Sequence, residues 1–391
     1  MKNKNILISC DDLGILGGSV ITTIRFANAL CVRGWNVVIL TCNSNTVEEL
    51  DPRIKIEFAT WYFFLSMGKN WGKVAGFSHS IIDKIISKYD INVVLSSHFG
   101  LLGGTAMMIA NQKDIPTFSL CSGQVENATA GLPKFLNNFL TRGFFNWLIK
   151  LYFNRAKFII PQSNFSAELL KPLNLHAKIE VISNGVDVSI FKKNNDEKEL
   201  NIIKNKYKIS DSFNFVFLGR LAKEKCVDTI FHAVQKLVQN GANVHLFLIG
   251  NGPEKDNLIN LTKFLGIEKQ VSFLGFISKQ DVVNVLNCCE LYIHPSQIEL
   301  EGMALLEAMS CGLPVLVSDS PLSASKQFVD GNGFVFSHGD ANDLATKISN
   351  MMELNSKKEL EKLASKSIEI ADKYSFDKCA DRFSELFSEG L

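Results

Sequence analysis

The stretch "FNFVFLGRLAKEK" (213–225) decides how this chain is read. Its first seven residues form an apolar run rich in aromatic side chains, the pattern of a strand buried on both faces of a parallel sheet. The run stops at Gly219 and passes directly into a basic turn carrying Arg220 and Lys225. In open parallel sheets, ligands bind just beyond the carboxyl ends of the strands. Two cations fixed there suit a diphosphate, because Arg offers a bidentate fork and Lys a point charge. Taken alone, the segment fits a solvated basic turn equally well.

Working outward, the same pattern recurs. "HLFLIG" (245–250), "VSFLG" (271–275), "LYIHP" (291–295) and "PVLVSD" (314–319) read as further strands, with helical segments between most of them. Upstream, "ILISC" (6–10) is followed by a turn with Gly14, Gly17 and Gly18. The segment "VITTIRFANALCVRG" (20–34) has helical periodicity and stops at Gly34. "NVVILT" (36–41), "NVVLSS" (92–97) and "TFSL" (117–120) complete the series. Alternating strands and helices predict an α/β chain with parallel sheets, in two Rossmann-like halves facing across a cleft. The join is expected near 185–195, with the polar "NNDEKEL" (194–200) ending a linker. The tail, 374–391, reads as an amphipathic helix that packs on one of the domains.

Length and charge agree with two domains. The chain has 391 residues, 46% apolar and 21% charged, enough for sizeable cores and too balanced for disorder. With 41 basic and 40 acidic residues, it lacks the basic excess of a nucleic-acid binder. Residues 1–190 carry about +5 and the remainder about −4. Nine scattered cysteines without a CxxC pair point to a reduced compartment. The opening "MKNKNILISCDD" is not a secretory signal, and no uncharged run reaches the ~18–20 residues of a membrane span. The expectation is a cytoplasmic protein, soluble or peripheral on the cytosolic face of a membrane.

A second station is "PSQIELEGMALLEAMSCGLPV" (295–315). Gly302 through Cys311 reads as a helix, with Glu299 before it and Glu307 inside it. If the whole of 299–307 is helical, the two carboxylates lie about 12 Å apart along the axis. That matches the separation between the sugar and the ribose of a nucleotide sugar, with a helix start between them for the phosphates. Glu301 reads as a surface acid favouring the helix dipole. Glu307 sits among apolar neighbours, where an unpaired carboxylate would be costly, so a function is favoured for it.

Weaker signals surround these. "IGNGP" (249–253) places Gly252 where backbone can approach a ligand, although a plain turn fits as well. "GILGGS" (14–19) is no dinucleotide fingerprint, so a nicotinamide oxidoreductase has little support. His98 precedes Gly100, Gly103 and Gly104 and could touch a sugar; a structural role is favoured for it and for His294. No Asp-x-Asp pair occurs in the chain, so no metal site is expected. From Asn127 to Ala167 there is no acid, but five Lys or Arg interleave with aromatics, as at an anionic membrane interface. The aromatic 58–77 is similar after Glu57. A core-packing helix with snorkelling cations is the alternative, with membrane-surface contact slightly favoured.

Together, these residues resemble the family-four glycosyltransferases of GT-B fold, over nearly the whole chain. "GRLAKEK" resembles their GRL-x-x-EK, "SNGVD" (183–187) their NGVD and "IGNGP" their G-x-GP. "ELEGMALLEAMSCGLPV" resembles their E-x7-E block, with Glu299 and Glu307 at its spacing. The resemblance implies a nucleotide-sugar donor, UDP-linked, and retention at the anomeric carbon, with no cofactor. It implies that Arg220 and Lys225 hold the diphosphate beside Gly219, and that Glu299 binds sugar hydroxyls with backbone at Gly302 and Met303. Glu307 would bind ribose, Gly252 and Phe276 would lie near the nucleotide, and Gly18 would let a first-half loop approach the donor. Residues 1–188 with 375–391 would then be the acceptor domain, and 189–374 the nucleotide-sugar domain, the last helix crossing back to the first.

Looser similarities link 123–170 and 318–328 to the lipid glucosyltransferases that make monoglucosyldiacylglycerol, implying a lipid or lipid-linked acceptor. One departure is clear. Where relatives place a donor-contacting His, this chain has Ser122, which can hydrogen-bond but carries no charge. A non-catalytic nucleotide-sugar binder and a sugar-nucleotide epimerase on the same fold are the alternatives.

Overall fold

The computed structural model describes residues 3–391 except 15–17, 44, 47–48, 60–61, 68–69, 76–78 and 122–138. The chain forms two compact units, Met1–Asn184 with Asp377–Leu391, and Gly185–Phe376.

The first unit is built on β1 (Asn5–Ser9), β2 (Asn36–Thr41), β3 (Lys55–Phe58), β6 (Val93–Ser96), β7 (Thr117–Leu120), β8 (Phe158–Ile160) and β9 (Lys178–Ile179). They pair in parallel in the order β3-β2-β1-β6-β7-β8-β9. Ile6, Leu7 and Ile8 of β1 are fully buried because helices cover both faces of the sheet. The aromatic 58–77 is not a helix: β4 (Tyr62–Met67) and β5 (Asn70–Ala75) form an antiparallel hairpin.

The second unit holds β10 (Phe213–Leu218), β11 (Val244–Ile249), β12 (Val271–Gly275), β13 (Leu291–His294), β15 (Val315–Ser318) and β17 (Gly333–Phe336). Their order is β12-β11-β10-β13-β15-β17, all parallel. That is the doubly wound order, and its direction reverses between β10 and β13, the switch point at which such sheets bind ligands. A separate two-stranded piece pairs β14 (Ile298–Glu299) with β16 (Leu322–Ser323). The polar 194–200 does not end a linker. Asp196 accepts hydrogen bonds from the backbone N–H groups of Lys198 and Glu199 and caps a helix at Glu197–Tyr207. An acidic cap followed by acids in the first turn is a helix start.

The last helix, Phe376–Gly390, belongs to the first unit beyond Phe376. Cys379, Ala380, Phe383, Leu386 and Phe387 are buried along one stripe. Phe383 meets Phe26 at 4.2 Å between ring centroids, and Phe387 meets Phe118 at 4.7 Å. The buried Trp35 indole donates to Ser384 Oγ at 2.9 Å, and Arg33 reaches Asp381 at 2.7 Å. The C-terminal helix therefore packs back on the N-terminal unit.

Candidate active site

The parallel strands of the second unit all end on one edge, so the loops after β10, β11, β12 and β13 carry the residues predicted for this unit. Gly219 opens the loop after β10 with φ +156°. Gly250 and Gly252 press against that loop. A Cβ on Gly250 would lie 2.0 Å from the Gly219 carbonyl oxygen, and one on Gly252 would lie 2.2 Å from that of Leu221. Glycine at 252 thus admits a neighbouring loop; the peptide N–H of Leu221 donates to the Asn251 carbonyl at 2.9 Å. This close approach holds the basic turn in place.

Lys225 ends a short 3-10 turn, Lys223–Lys225, and donates to Glu299 Oε2 at 2.6 Å. The two side chains are 18% and 20% exposed. Burial raises the Glu299 pKa, but the charge of Lys225 and the contact with His294 outweigh it and bring the carboxyl down to about 2. Glu299 is held from the other side as well. β14 pairs with β16, and the Ala324 N–H donates to the Glu299 carbonyl at 2.9 Å. Arg220, in contrast, is 65% exposed and pairs with Glu224. The Gln297 N–H donates to the Glu224 carbonyl at 2.8 Å, tying the basic turn to the Glu299 segment.

The helix after Glu299 is shorter than expected, Met303–Ser310, with Gly302 capping it at φ +106°. Glu299 sits in β14, so 299–307 is not one helix and the 12 Å axial separation does not apply. Only four residues of rise separate Met303 from Glu307, about 6 Å. Leu305, Leu306 and Met309 are buried while Glu307 is half-buried, so its carboxylate is nearer solvent than its apolar neighbours in sequence suggest. Glu301 is 3% exposed, not a solvated helix-start acid. Phe276, just after Gly275 with its φ of +69°, is 70% exposed beyond β12.

The sequence reading favours a structural role for His294 and gives 318–328 only a loose family likeness. His294 ends β13 fully enclosed, its Nε2 3.6 Å from Glu299 Oε2, with its pKa lowered by burial. Ser320, Ser325 and Ser323, the last within β16, are buried, and Ser320 Oγ donates to the Gln297 carbonyl at 2.6 Å. The signal was the density of serines in "SDSPLSAS", which suits a tight hydrogen-bonded loop.

In the first unit, the sheet reverses between β1 and β6. His98 follows β6, with Nδ1 2.7 Å from Ser97 Oγ and Nε2 2.9 Å from Ser19 Oγ. Burial lowers its pKa to about 4, so it is a neutral ring with both nitrogens engaged. Gly18 begins the helix Gly18–Val32 and is exposed; nothing lies within 4 Å of where its Cβ would be. Ser122 lies outside the described residues. Among the described residues, no cluster of His, Cys, Asp or Glu could hold a metal ion, and no helix is long and apolar enough to cross a membrane.

Comparison with known proteins now adds what geometry cannot. The family described as "Glycosyltransferase Family 4" matches residues 16–190, and "Glycosyl transferases group 1" matches residues 199–370. The chain belongs to the family-four glycosyltransferases. It is thus an enzyme of a retaining hexosyltransferase family and transfers a sugar from a nucleotide sugar. The oxidoreductase, epimerase and non-catalytic readings fall away. Among curated relatives, alpha-monoglucosyldiacylglycerol synthase of Streptococcus pneumoniae is 22% identical over 305 residues, 77% of this chain and 68% of that protein. Among solved structures, sucrose-phosphate synthase of Thermosynechococcus elongatus superposes with a TM-score of 0.81 at 17% identity, over 99% of both chains. HepE of Anabaena, solved with UDP-glucose, gives 0.73 at 17% identity over 98% of this chain and 99% of its own. These likenesses give this glycosyltransferase its GT-B fold.

Proposed function

We propose that this glycosyltransferase moves a hexose from a UDP-sugar, glucose foremost, to a lipid or lipid-linked acceptor at a membrane surface, without a metal ion. The observation that carries the donor half is the Lys225–Glu299 pair at the switch point of the second sheet. The pair supports reading Lys225 as the cation for the diphosphate and Glu299 as the carboxylate for sugar hydroxyls. Arg220, exposed on the same loop, adds a second cation, and the helix start at Gly302 and Met303 adds backbone dipole. Glu307, one turn along that helix, is the ribose acceptor; Gly252 and Phe276 border the nucleotide. Departure of the nucleoside diphosphate is helped by these fixed charges, which act where negative charge develops. The acceptor hydroxyl attacks from the face the diphosphate leaves, giving retention with no protein nucleophile. Gly18 and His98 lie on the first unit, to which we assign the acceptor, and Ser122 stands where relatives carry a histidine.

The lipid half rests on a surface. The helix Phe139–Phe153 lies in the acid-free stretch, and Trp147 and Leu151, one turn apart, are 54% and 44% exposed. An aromatic and aliphatic face among basic residues suits an anionic membrane interface. The cited relative is named for a lipid product, and HepE was solved with UDP-glucose, which supports both halves. The test is a donor screen with UDP-, GDP-, ADP- and dTDP-glucose against diacylglycerol in anionic vesicles. UDP-glucose should give UDP and an α-glycolipid. Transfer only to a soluble acceptor would overturn the lipid half, and turnover of another nucleotide alone would overturn the UDP half.

A further inference from the structure

The inner end of β13 holds a group that the reaction above leaves without a task. His294 is 3% exposed, and among the described residues its Nε2 has no hydrogen-bond partner. That nitrogen lies 3.6 Å from Glu299 Oε2, beyond hydrogen-bond range, facing the oxygen that Lys225 already holds at 2.6 Å. The other nitrogen, Nδ1, is 3.3 Å from the Tyr292 hydroxyl, which donates to the Leu218 carbonyl just before the basic turn. A buried polar atom left unpaired is costly and calls for an explanation. The titratable groups facing the ring are Glu299 from β14, Lys225 from the 3-10 turn and Tyr292 from its own strand; Glu307 acts on Tyr292 from the helix.

Charge balance supplies the explanation. Lys225 and Glu299 neutralise one another at 2.6 Å. A donor brings a doubly charged diphosphate that competes for Lys225. Glu299 is then a largely buried carboxylate whose nearest remaining titratable neighbour is His294, and an uncompensated buried charge is strongly unfavourable.

We propose that His294 is a positioning residue that takes over Glu299 when the donor draws Lys225 away: Nε2 carries a proton taken from solvent, donates it in a hydrogen bond to Oε2, and keeps the carboxylate aimed at the sugar. This inference rests on the reading of Lys225 as a diphosphate ligand. One proton enters, and no covalent bond to carbon or phosphorus changes. Burial holds the imidazole below its ordinary range while Lys225 is paired with Glu299, which disfavours the charged ring. Pairing with a Glu299 released from Lys225 raises it. A ligand that raises a pKa binds with proton uptake, so donor affinity is highest on the acid side and falls as pH rises through the bound-state value.

The experiment is calorimetric titration of UDP-glucose near neutral pH in buffers of different ionisation enthalpy. A diphosphate diester has no group of its own titrating there, so any uptake belongs to the protein. The wild type should take up a measurable fraction of one proton, His294→Gln should take up none, and its affinity should be flat with pH. Zero uptake by the wild type, or uptake that persists in His294→Gln, overturns the proposal; the wild-type measurement stands even if the variant folds poorly. Lys225→Met separates the two readings. It should weaken UDP-glucose at least tenfold. Unchanged affinity would sink the diphosphate reading itself, whereas weakened affinity with no wild-type proton uptake would sink only the role of His294.

Discussion

Removing the charge of Lys225 should destabilise the second unit in a way that depends on pH. In the native protein, the Glu299 carboxyl titrates at about 2, against an ordinary value of 4.5. At 1.36 kcal/mol per pKa unit, that depression stores about 3 kcal/mol, an order-of-magnitude figure for a side chain only one-fifth exposed. The sign follows from linkage. A carboxyl whose folded value is depressed contributes its stability above the unfolded value and loses it as pH falls towards the folded one. In Lys225→Met, the burial penalty remains but the cation is gone, so Glu299 titrates higher and that stability is lost, less whatever a protonated His294 restores. At neutral pH, a loss of this size corresponds to a fall of roughly 6–12 °C in Tm for a unit of this length. As pH drops from 4.5 towards 2, the wild type loses the same contribution and the two melting curves should converge. Thermal melts of both proteins across that range measure the gap. A gap that stays constant with pH, or no gap at neutral pH, would refute the reasoning.

Other predictions follow from the glycine contacts and the last helix. Gly252→Ala forces a Cβ to 2.2 Å from the Leu221 carbonyl oxygen, so the two loops must part. The cost is about 1–3 kcal/mol, read as a lower denaturation midpoint in urea; an unchanged midpoint would mean the loops are not in contact. Gly302→Ala places a side chain at φ +106° and should cost about 1–3 kcal/mol while weakening UDP-glucose, measured by calorimetry. Wild-type affinity in that variant would show that the helix start does not touch the donor. Trp35→Phe leaves Ser384 Oγ without its 2.9 Å donor and should loosen the last helix by about 1–3 kcal/mol. Hydrogen exchange over 377–390 checks this, and unchanged protection would contradict it.

The strands were legible because a parallel sheet covered on both faces demands short apolar runs; 213–219 and 314–319 contain β10 and β15, and 245–250 covers all of β11 but Val244. The grouping of Lys225 with Glu299 was legible because motif spacing places both on loops at one sheet edge. What local pattern hid was tertiary. Glu299 follows β13 by a few residues and precedes a helix, yet it lies in a two-residue strand paired with 322–323. No periodicity reports so short a partner. Acid and amide residues at 194–200 resemble a linker until Asp196 is seen to cap a helix. The aromatics of 62–75 carry no strict alternation that would separate a hairpin from a helix, and pairing decides it. His294 looked structural because a lone histidine on an apolar strand usually is; only the 3.6 Å approach to Glu299 sets it apart.

The most direct test of the donor site is a crystal structure with UDP-glucose bound. The diphosphate should lie within hydrogen-bond distance of Lys225 Nζ, with glucose against Glu299 and ribose against Glu307. Nucleotide seated away from the loops after β10 and β13, or bound with these three side chains turned from it, would contradict the account.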